Sequence, residues 1–274
     1  MKLYKGIDYL QVSSEDLLEY EKIRDSELLH PTETGMLKRV RINKFHEYPK
    51  SVRHNKHLFP NNYLDIVELK QHDKIRELAV DFEKLLDTNP NEQTILNFIN
   101  DYENYLIIAS LFTYYNFGHH EAYLFKEFAL NTQYRTDYLL VGKGSGGYEF
   151  VFIELESPSN NPFKNKGTEL SQYYQNGINQ VKSWERFLEQ QFLSLQPKFL
   201  EAKKSDLNLR SEFINSDSSR RHYIVVAGRR EHYETNPDYS YSIRRYEEKN
   251  ARIKLLHYDN LIDLTQNLVG KNTF

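Results

Sequence analysis

The sequence predicts a mixed α/β domain in which helices cover a sheet. Three short runs rich in aromatic and β-branched residues follow one another between residues 123 and 155, and a further buried run occupies 221–228. A long stretch at 168–190 separates them and carries apolar residues at helical spacing. Strands that alternate with helices in this way favour a sheet with helices packed on its faces.

The other elements follow from the same periodicities. Alternating polar and apolar residues at 38–45 predict a strand, and short apolar or aromatic runs predict strands at 123–130, 136–141, 148–155, 221–228 and 252–257. Apolar residues recur at helical spacing at 65–86, 94–111 and 168–190, and shorter helices are predicted at 241–250 and 260–268. The cluster Thr88-Asn89-Pro90-Asn91 is the strongest boundary signal, because Pro and Asn interrupt regular structure. We therefore expect residues 1–89 to form a small mixed α/β region with a regulatory or recognition role, ahead of a main domain at 90–274.

Composition restricts the classes of function. The chain lacks cysteine, so disulfides and cysteine-based zinc sites are excluded. It has no apolar run of membrane-spanning length and no signal-peptide pattern, so we expect a cytoplasmic protein without a membrane partner. A net charge of -3 argues against a surface that binds nucleic acid everywhere, so any phosphate contact must come from a local patch.

One basic run stands out in this acidic chain. Between residues 38 and 57 seven Lys and Arg residues accompany a single acid. Such a run predicts a nucleic-acid-binding patch, although an ordinary solvated surface has the same pattern. The residues that we assign to this patch are Lys38, Arg39, Arg41 and Lys44.

The candidate active site lies at one end of a predicted hairpin. Glu154 and Glu156 end an apolar strand on the same face, about 7 Å apart. Aligning Val141 with Tyr148 across the glycine-rich turn places Asp137 one pleat away from Glu154. Three carboxylates repel one another unless a cation lies among them, and oxygen ligands of this kind suit Mg²⁺ or Mn²⁺. A lone Glu-x-Glu pair would more simply be the solvent-facing end of a strand.

The order of these motifs resembles a known family. Arg-Thr-Asp137-Tyr-Leu-Leu, then Glu154-Leu-Glu156-Ser-Pro, then Gln180-Val-Lys-Ser-Trp184 resembles the Shedu (SduA) antiphage nucleases and their PD-(D/E)xK core. The resemblance extends from about residue 91 to the C-terminus. It implies a restriction-endonuclease-like mixed sheet flanked by helices, and an enzyme that cuts or nicks DNA in bacterial antiphage defence. It also implies a Mg²⁺ or Mn²⁺ cofactor, DNA as substrate, a phage-derived trigger and a homo-oligomer.

The resemblance assigns roles to individual residues. Asp137 and Glu154 correspond to metal ligands, and Gln180 corresponds to the residue that orients metal, water or substrate. Trp184 is the aromatic residue one turn later, on the same helix face. Glu127 corresponds to a weaker acidic position on the preceding strand.

Position 156 departs from the family pattern, which usually has Lys there. Glu156 cannot supply positive charge to the reaction. Either Glu156 is a third metal ligand while a nearby lysine, Lys164 or Lys166, takes over, or the enzyme is weakened or silent. The alternative function is therefore a catalytically silent protein of the same fold that binds nucleic acid or senses a phage component.

Overall fold

The computed structural model describes residues 2–26, 30–31, 37–38 and 50–274, with side chains for 2–22 and 50–274. A five-stranded sheet forms its centre. The strands, in chain order and in their order across the sheet, are β1 (Glu121–Ala129), β2 (Arg135–Gly144), β3 (Gly147–Leu155), β4 (Arg221–Val226) and β5 (Ile253–Leu256).

Strand directions change at β3. β1, β2 and β3 form an antiparallel meander, whereas β3, β4 and β5 run parallel. Parallel neighbours require long crossover connections, and helices provide them here. The predicted mixed sheet flanked by helices is confirmed.

The five predicted helices are present with two changes, and further short helices accompany them. The helix predicted at 65–86 begins at His72, after a short 3₁₀ turn, and the helix predicted at 94–111 is broken near Glu103. Glu103 has φ 57°, a left-handed conformation that a helix does not accommodate. The helices are α1 (Ser14–Ser26), α2 (Lys50–His54), α3 (His72–Asp87), α4 (Glu92–Asp101), α5 (Leu106–Ala109), α6 (Gln172–Gln191), α7 (Gln196–Ala202), α8 (Arg230–Glu234), α9 (Pro237–Ala251) and α10 (Tyr258–Gln266).

The sheet has a hydrophobic core on each face. Phe150 and Phe152 of β3 pack on the side of α6 and its Trp184, whereas Val151 and Ile153 pack on the side of α4 and α10. This alternation is the one predicted for β3. It places Glu154 on the face that α6 covers.

The register of the β2–β3 hairpin differs from the prediction. Val141 pairs with Phe150, so the predicted alignment with Tyr148 is wrong by two residues. When this pairing is extended by one residue beyond Tyr138 and Ile153, Asp137 lies opposite Glu154 instead of one pleat away.

The cause is that the predicted glycine turn belongs largely to the strands. Gly144 pairs with Gly147, so the turn between them is short. Gly142 is a strand residue, and a Cβ there would lie 2.6 Å from ring atoms of both Phe112 and Phe117. Glycine is needed at this position because aromatic rings pack onto the backbone, which the sequence pattern did not distinguish from a turn.

Described residues before position 89 pack against the rest of the chain. Tyr63 forms a β-bridge with Tyr123, and Phe82 of α3 lies in the same core as Tyr258 of α10. The predicted boundary near residue 89 stays a prediction.

No helix among the described residues combines the length and apolar character needed to cross a membrane. The predicted basic patch falls outside the described residues at Arg39, Arg41 and Lys44, and the side chain of Lys38 is not described either.

Candidate active site

At the open end of the β2–β3 hairpin, hydrogen bonds from side chains of β2 to the backbone of β3 replace the backbone–backbone hydrogen bonds of the sheet. The Thr136 hydroxyl accepts from the N–H of Ile153 at 3.1 Å and donates to the Ile153 carbonyl at 2.7 Å. One residue further along β2, Asp137 Oδ2 accepts from the N–H of Leu155 at 2.7 Å. The carboxylate of Asp137 is therefore fixed against the end of β3.

Glu154 is the most deeply buried carboxylate of the cluster. Its side chain is buried, with only 8% of the residue exposed, and its Oε1 accepts from Gln180 Nε2 at 2.6 Å. Its Oε2 is also buried and has no hydrogen-bond partner among the described residues. Burial, reinforced by the charges of Asp137, Glu156 and Glu92, raises the pKa of Glu154 to about 10. Glu154 thus holds a buried oxygen that lacks a partner.

Glu156 follows β3 and lies directly against α6. A Cβ on Gly177 would lie 2.3 Å from Glu156 Oε1, so only glycine lets this carboxylate approach the helix so closely. The backbone carbonyl of Glu156 accepts from the Tyr258 hydroxyl at 2.7 Å. Burial raises the pKa of Glu156 to about 7, while a hydrogen bond from Tyr173 acts in the opposite direction. Glu156 is therefore held by α6 and α10 together.

The pKa of Asp137 is also raised, to about 7. Burial is the largest cause, and the charges of Glu92, Glu156 and Glu127 add to it. The hydrogen bond from Leu155 N–H lowers the pKa but does not offset burial. Carboxylates with raised pKa values are common at functional sites, because burial and like charges are concentrated there.

The sequence analysis missed Glu92, a fourth carboxylate of this cluster. Its charge acts on the pKa values of Asp137, Glu154 and Glu156. Ser159, in the segment after β3, donates a hydrogen bond to the Pro90 carbonyl at 2.7 Å. This bond links the start of α4 to the segment that follows Glu156. An acid in the first turn of a helix has an ordinary explanation in the helix dipole, which concealed this residue. The only available signal was its position directly after the predicted boundary.

Glu127 lies at an irregularity of β1. Its neighbours Lys126 and Phe128 pair with Tyr138 and Thr136, while Glu127 itself has φ 48° and leaves the ladder. Its side chain is exposed, and its charge raises the pKa of Asp137. The structure thus places Glu127 across from Asp137, at the edge of the cluster.

The structure does not show either candidate lysine in contact with the carboxylates. Lys164 is exposed and forms an ion pair with Glu169 at 3.3 Å. Lys166 has φ 56° in the turn that follows, within the hairpin of Phe163–Lys164 and Glu169–Leu170. The charges that shift the pKa of Glu154 all belong to carboxylates.

Gln180 and Trp184 lie on one side of α6, as predicted from their spacing. Both line an open cleft beside the carboxylates. Trp184 is fully buried, and its Nε1 has no hydrogen-bond partner among the described residues. Trp184 therefore anchors α6 in the core, whereas the exposed Gln180 reaches Glu154.

The chemistry of the donors fits a hard divalent cation. The cluster offers carboxylate oxygens and the amide of Gln180, and the unpartnered Oε2 of Glu154 is a buried acceptor without a donor. Mg²⁺ and Mn²⁺ prefer such oxygen ligands. Within the described residues, however, no three acidic or histidine side chains are already spaced to hold one ion. The arrangement is therefore a cluster of carboxylates and not a formed coordination sphere.

Comparison with models of known protein families identifies the family to which this chain belongs. A family model described as Shedu protein SduA, C-terminal, matches residues 89–262. This match covers more than half of the 274 residues. The chain belongs to the Shedu family. Membership confirms the resemblance seen in the motifs and implies a role of this Shedu chain in antiphage defence. No curated protein matches the chain.

Proposed function

We propose that this Shedu protein is a metal-dependent endonuclease that cuts or nicks DNA in antiphage defence. Glu154 carries the proposal, because it is buried, has an unpartnered oxygen and is surrounded by other carboxylates. Burying such a group without a counter-charge is strongly unfavourable. A divalent cation bound from solution would supply the missing charge.

In this proposal Asp137 and Glu154 hold the ion. Bound Mg²⁺ or Mn²⁺ would polarise a phosphodiester and lower the pKa of an attacking water. Leu155 N–H fixes Asp137, and Gln180 holds one oxygen of Glu154 so that the other stays available. The protein thus orients its ligands before substrate arrives, which is the main protein contribution in sites of this kind.

Glu156 requires a separate role, since it stands where the family usually has Lys. Hydrolysis needs positive charge close to the phosphorus, and a glutamate cannot supply it. We propose that Glu156 and Glu92 add ligands for a second ion, because both act on the same buried carboxylate, Glu154. The exposed Glu127 would adjust the charge at the edge of the site. The phage-derived trigger and the homo-oligomer stay predictions.

A plasmid-nicking assay tests this function. Supercoiled plasmid would be incubated with wild type in Mn²⁺, in Mg²⁺ and in EDTA, beside Asp137→Ala and Glu154→Ala. We expect metal-dependent nicking that either substitution reduces by about a hundredfold or more. Glu247→Gln is the matched control, because Glu247 is also buried with an unpartnered oxygen but is paired with Lys182 at 2.7 Å. Equal nicking by Asp137→Ala and wild type would contradict the proposal.

One observation favours a second candidate, a catalytically silent nucleic-acid-binding or phage-sensing protein. Position 156 is Glu, and Lys164, one of the two lysine candidates, is paired with Glu169. Glu156→Lys separates the two functions, since it restores the usual motif. A wild type that never nicks, beside a Glu156→Lys variant that does, would establish a silent member. Glu156→Gln should instead abolish nicking if Glu156 is a ligand.

A further inference from the structure

An open cleft of about 550 Å³ lies between the β1–β2 turn and α6. Asn131 shapes its first wall, because Asn131 Oδ1 accepts from the N–H groups of Gln133 at 2.7 Å and Tyr134 at 2.6 Å. The wall is therefore fixed by local hydrogen bonds. The cleft residues used below are Tyr134 from the turn, Arg135 at the start of β2, and Asn176, Asn179 and Gln180 from α6.

The cleft leads directly to the carboxylates. Gln180 lines it and also donates to Glu154. Arg135 precedes Asp137 by two residues on β2, so the two side chains leave the strand on the same face. A polymer lying in the cleft would therefore contact Gln180, which is hydrogen-bonded to the carboxylate cluster.

The charge of the cleft differs from that of the protein. The sequence has 39 Asp and Glu residues, yet residues 170–184 contain none. Arg135 carries the only formal charge among the described residues that line the cleft. Arg135 is exposed and forms no ion pair with any other residue of the described ranges. A polyanion that the carboxylate cluster repels can approach along this side.

The α6 wall presents hydrogen-bond donors. Asn176 Oδ1 accepts from Gln172 Nε2 at 2.9 Å, and Asn179 Oδ1 accepts from Gln175 Nε2 at 3.2 Å. Because these oxygens are engaged along the helix, each asparagine has its Nδ2 group left to donate outward. Amide and guanidinium donors are the groups that contact phosphate oxygens in protein–DNA complexes.

We propose that this cleft binds a single strand of DNA that continues from the cut phosphodiester, an inference that rests on the proposed nuclease function. The cleft combines a cation, a row of neutral donors and the ring of Tyr134. Charged and aromatic groups in one groove are typical of single-strand binding without sequence preference. Arg135, Asn176 and Asn179 are its binding residues.

Fluorescence anisotropy in EDTA measures this binding without catalysis. The probe is a labelled single strand of about 20 nucleotides, with a duplex of equal length beside it. Arg135→Ala should weaken single-strand binding by about tenfold and reduce the salt slope by about 0.7. Asn176→Asp and Asn179→Asp keep the acceptors for Gln172 and Gln175 but exchange donors for negative charge, so each should weaken binding by about tenfold.

Two matched controls distinguish DNA binding in the cleft from a non-specific effect of surface charge. Arg245→Ala removes an exposed arginine of α9 that is not among the residues lining the cleft. Asn97→Asp repeats the amide exchange at an identical pair, since Asn97 Oδ1 accepts from Gln93 Nε2 at 2.9 Å on α4. Both should leave binding unchanged. If Arg135→Ala and Arg245→Ala bind alike, or if only duplex binding is lost, the single-strand assignment is overturned.

The outcome is independent of the nicking assay. Binding that depends on Arg135, combined with a wild type that never nicks, supports the cleft and overturns the nuclease function. Metal-dependent nicking with binding that ignores Arg135, Asn176 and Asn179 supports the function and overturns the cleft. Unchanged melting temperatures of these exposed-residue variants confirm that binding, and not folding, has changed.

Discussion

The two ends of the β2–β3 hairpin differ in how they compensate a carboxylate that is shielded from solvent, half-buried Glu121 at one end and buried Glu154 at the other. At the turn end Glu121 accepts from Lys143 at 2.7 Å, from the Tyr148 hydroxyl at 2.9 Å and from the Tyr123 hydroxyl. At the open end Glu154 has one oxygen without a partner, and the charges that act on it are carboxylates. The protein supplies its own counter-charge at one end only.

The difference is the one expected between a structural carboxylate and a carboxylate of a functional site. Glu121, Lys143 and Tyr148 are cross-strand neighbours, so the sheet itself brings the acid, the cation and a hydroxyl together. The same sheet brings Asp137 beside Glu154 without a cation. A cluster of this kind destabilises the fold unless something else binds there, which is expected of sites selected for function over stability.

The largest expected effect is a pH dependence of the metal-free protein. The folded-state pKa values of Asp137 and Glu156 are about 7 and that of Glu154 about 10, whereas ordinary values lie near 4. For a raised pKa the stabilising contribution is complete below the unfolded value and is lost as pH rises through the folded value. Stability in EDTA should therefore fall from about pH 4 to 7, and further towards pH 10, by several kcal/mol in order of magnitude.

Urea unfolding at several pH values between 5 and 9 measures this loss. The double variant Asp137→Asn/Glu154→Gln removes two of the three acids and should flatten the dependence. Glu121→Gln, at the turn end, should leave the slope in place. If the stability of the wild type instead rises over this range, the carboxylate charges at the open end are already compensated in the metal-free protein.

The second effect is stabilisation of the open end by metal. Mn²⁺ at a hundred times its Kd should raise the free energy of unfolding by about 2.7 kcal/mol, since it binds only the folded protein. Thermal melting with and without Mn²⁺ measures the gain. Glu121→Ala should keep the gain, whereas Asp137→Ala/Glu154→Ala should lose it. The same shift in both variants would place the ion elsewhere.

A third effect concerns the turn end in the absence of metal. Glu121→Ala leaves Lys143 and two tyrosine hydroxyls without their acceptor, and should lower the free energy of unfolding by about 2 kcal/mol. Glu154→Gln should change it far less at neutral pH, because the raised pKa keeps Glu154 protonated there. Urea unfolding of the two variants at pH 7 compares them. Equal losses would mean that both ends are structural.

The sequence predicted some of this site for clear physical reasons. Strand alternation placed Glu154 and Glu156 on one face of their strand, and helical spacing placed Gln180 and Trp184 on one face of their helix. Neither pattern depends on distant parts of the chain. The five strands of the sheet and the five predicted helices were predictable for the same reason, whereas the mixed sheet was implied by the family resemblance.

The parts that were missed depend on contacts between segments distant in sequence. The register was wrong because Gly142 makes room for aromatic rings, and a sequence cannot distinguish that glycine from a turn residue. Gly177 makes room for Glu156, some twenty residues earlier in the chain. Glu92 joins the cluster because Ser159 holds the Pro90 carbonyl, and its own sequence context suggested only a helix start.

The smallest expected effect concerns the two lysines considered as substitutes for the missing motif lysine. Lys164 is paired with Glu169 and exposed, and Lys166 lies in the turn of the same hairpin. The charges acting on Glu154 include neither of them. Because neither lysine acts on Glu154 and an exposed ion pair contributes little free energy, we expect Lys164→Ala and Lys166→Ala to leave the nicking rate within about twofold of wild type.

Nicking rates at several Mn²⁺ concentrations distinguish the two routes to positive charge. If a second ion acts with Glu156, Glu156→Gln removes activity, and the wild-type rate rises more steeply than linearly with metal. Both lysine variants should then follow the wild-type curve. A hundredfold loss in Lys164→Ala with unchanged metal affinity would instead show that the hairpin folds over the site during catalysis, and that the open end receives its cation from the protein.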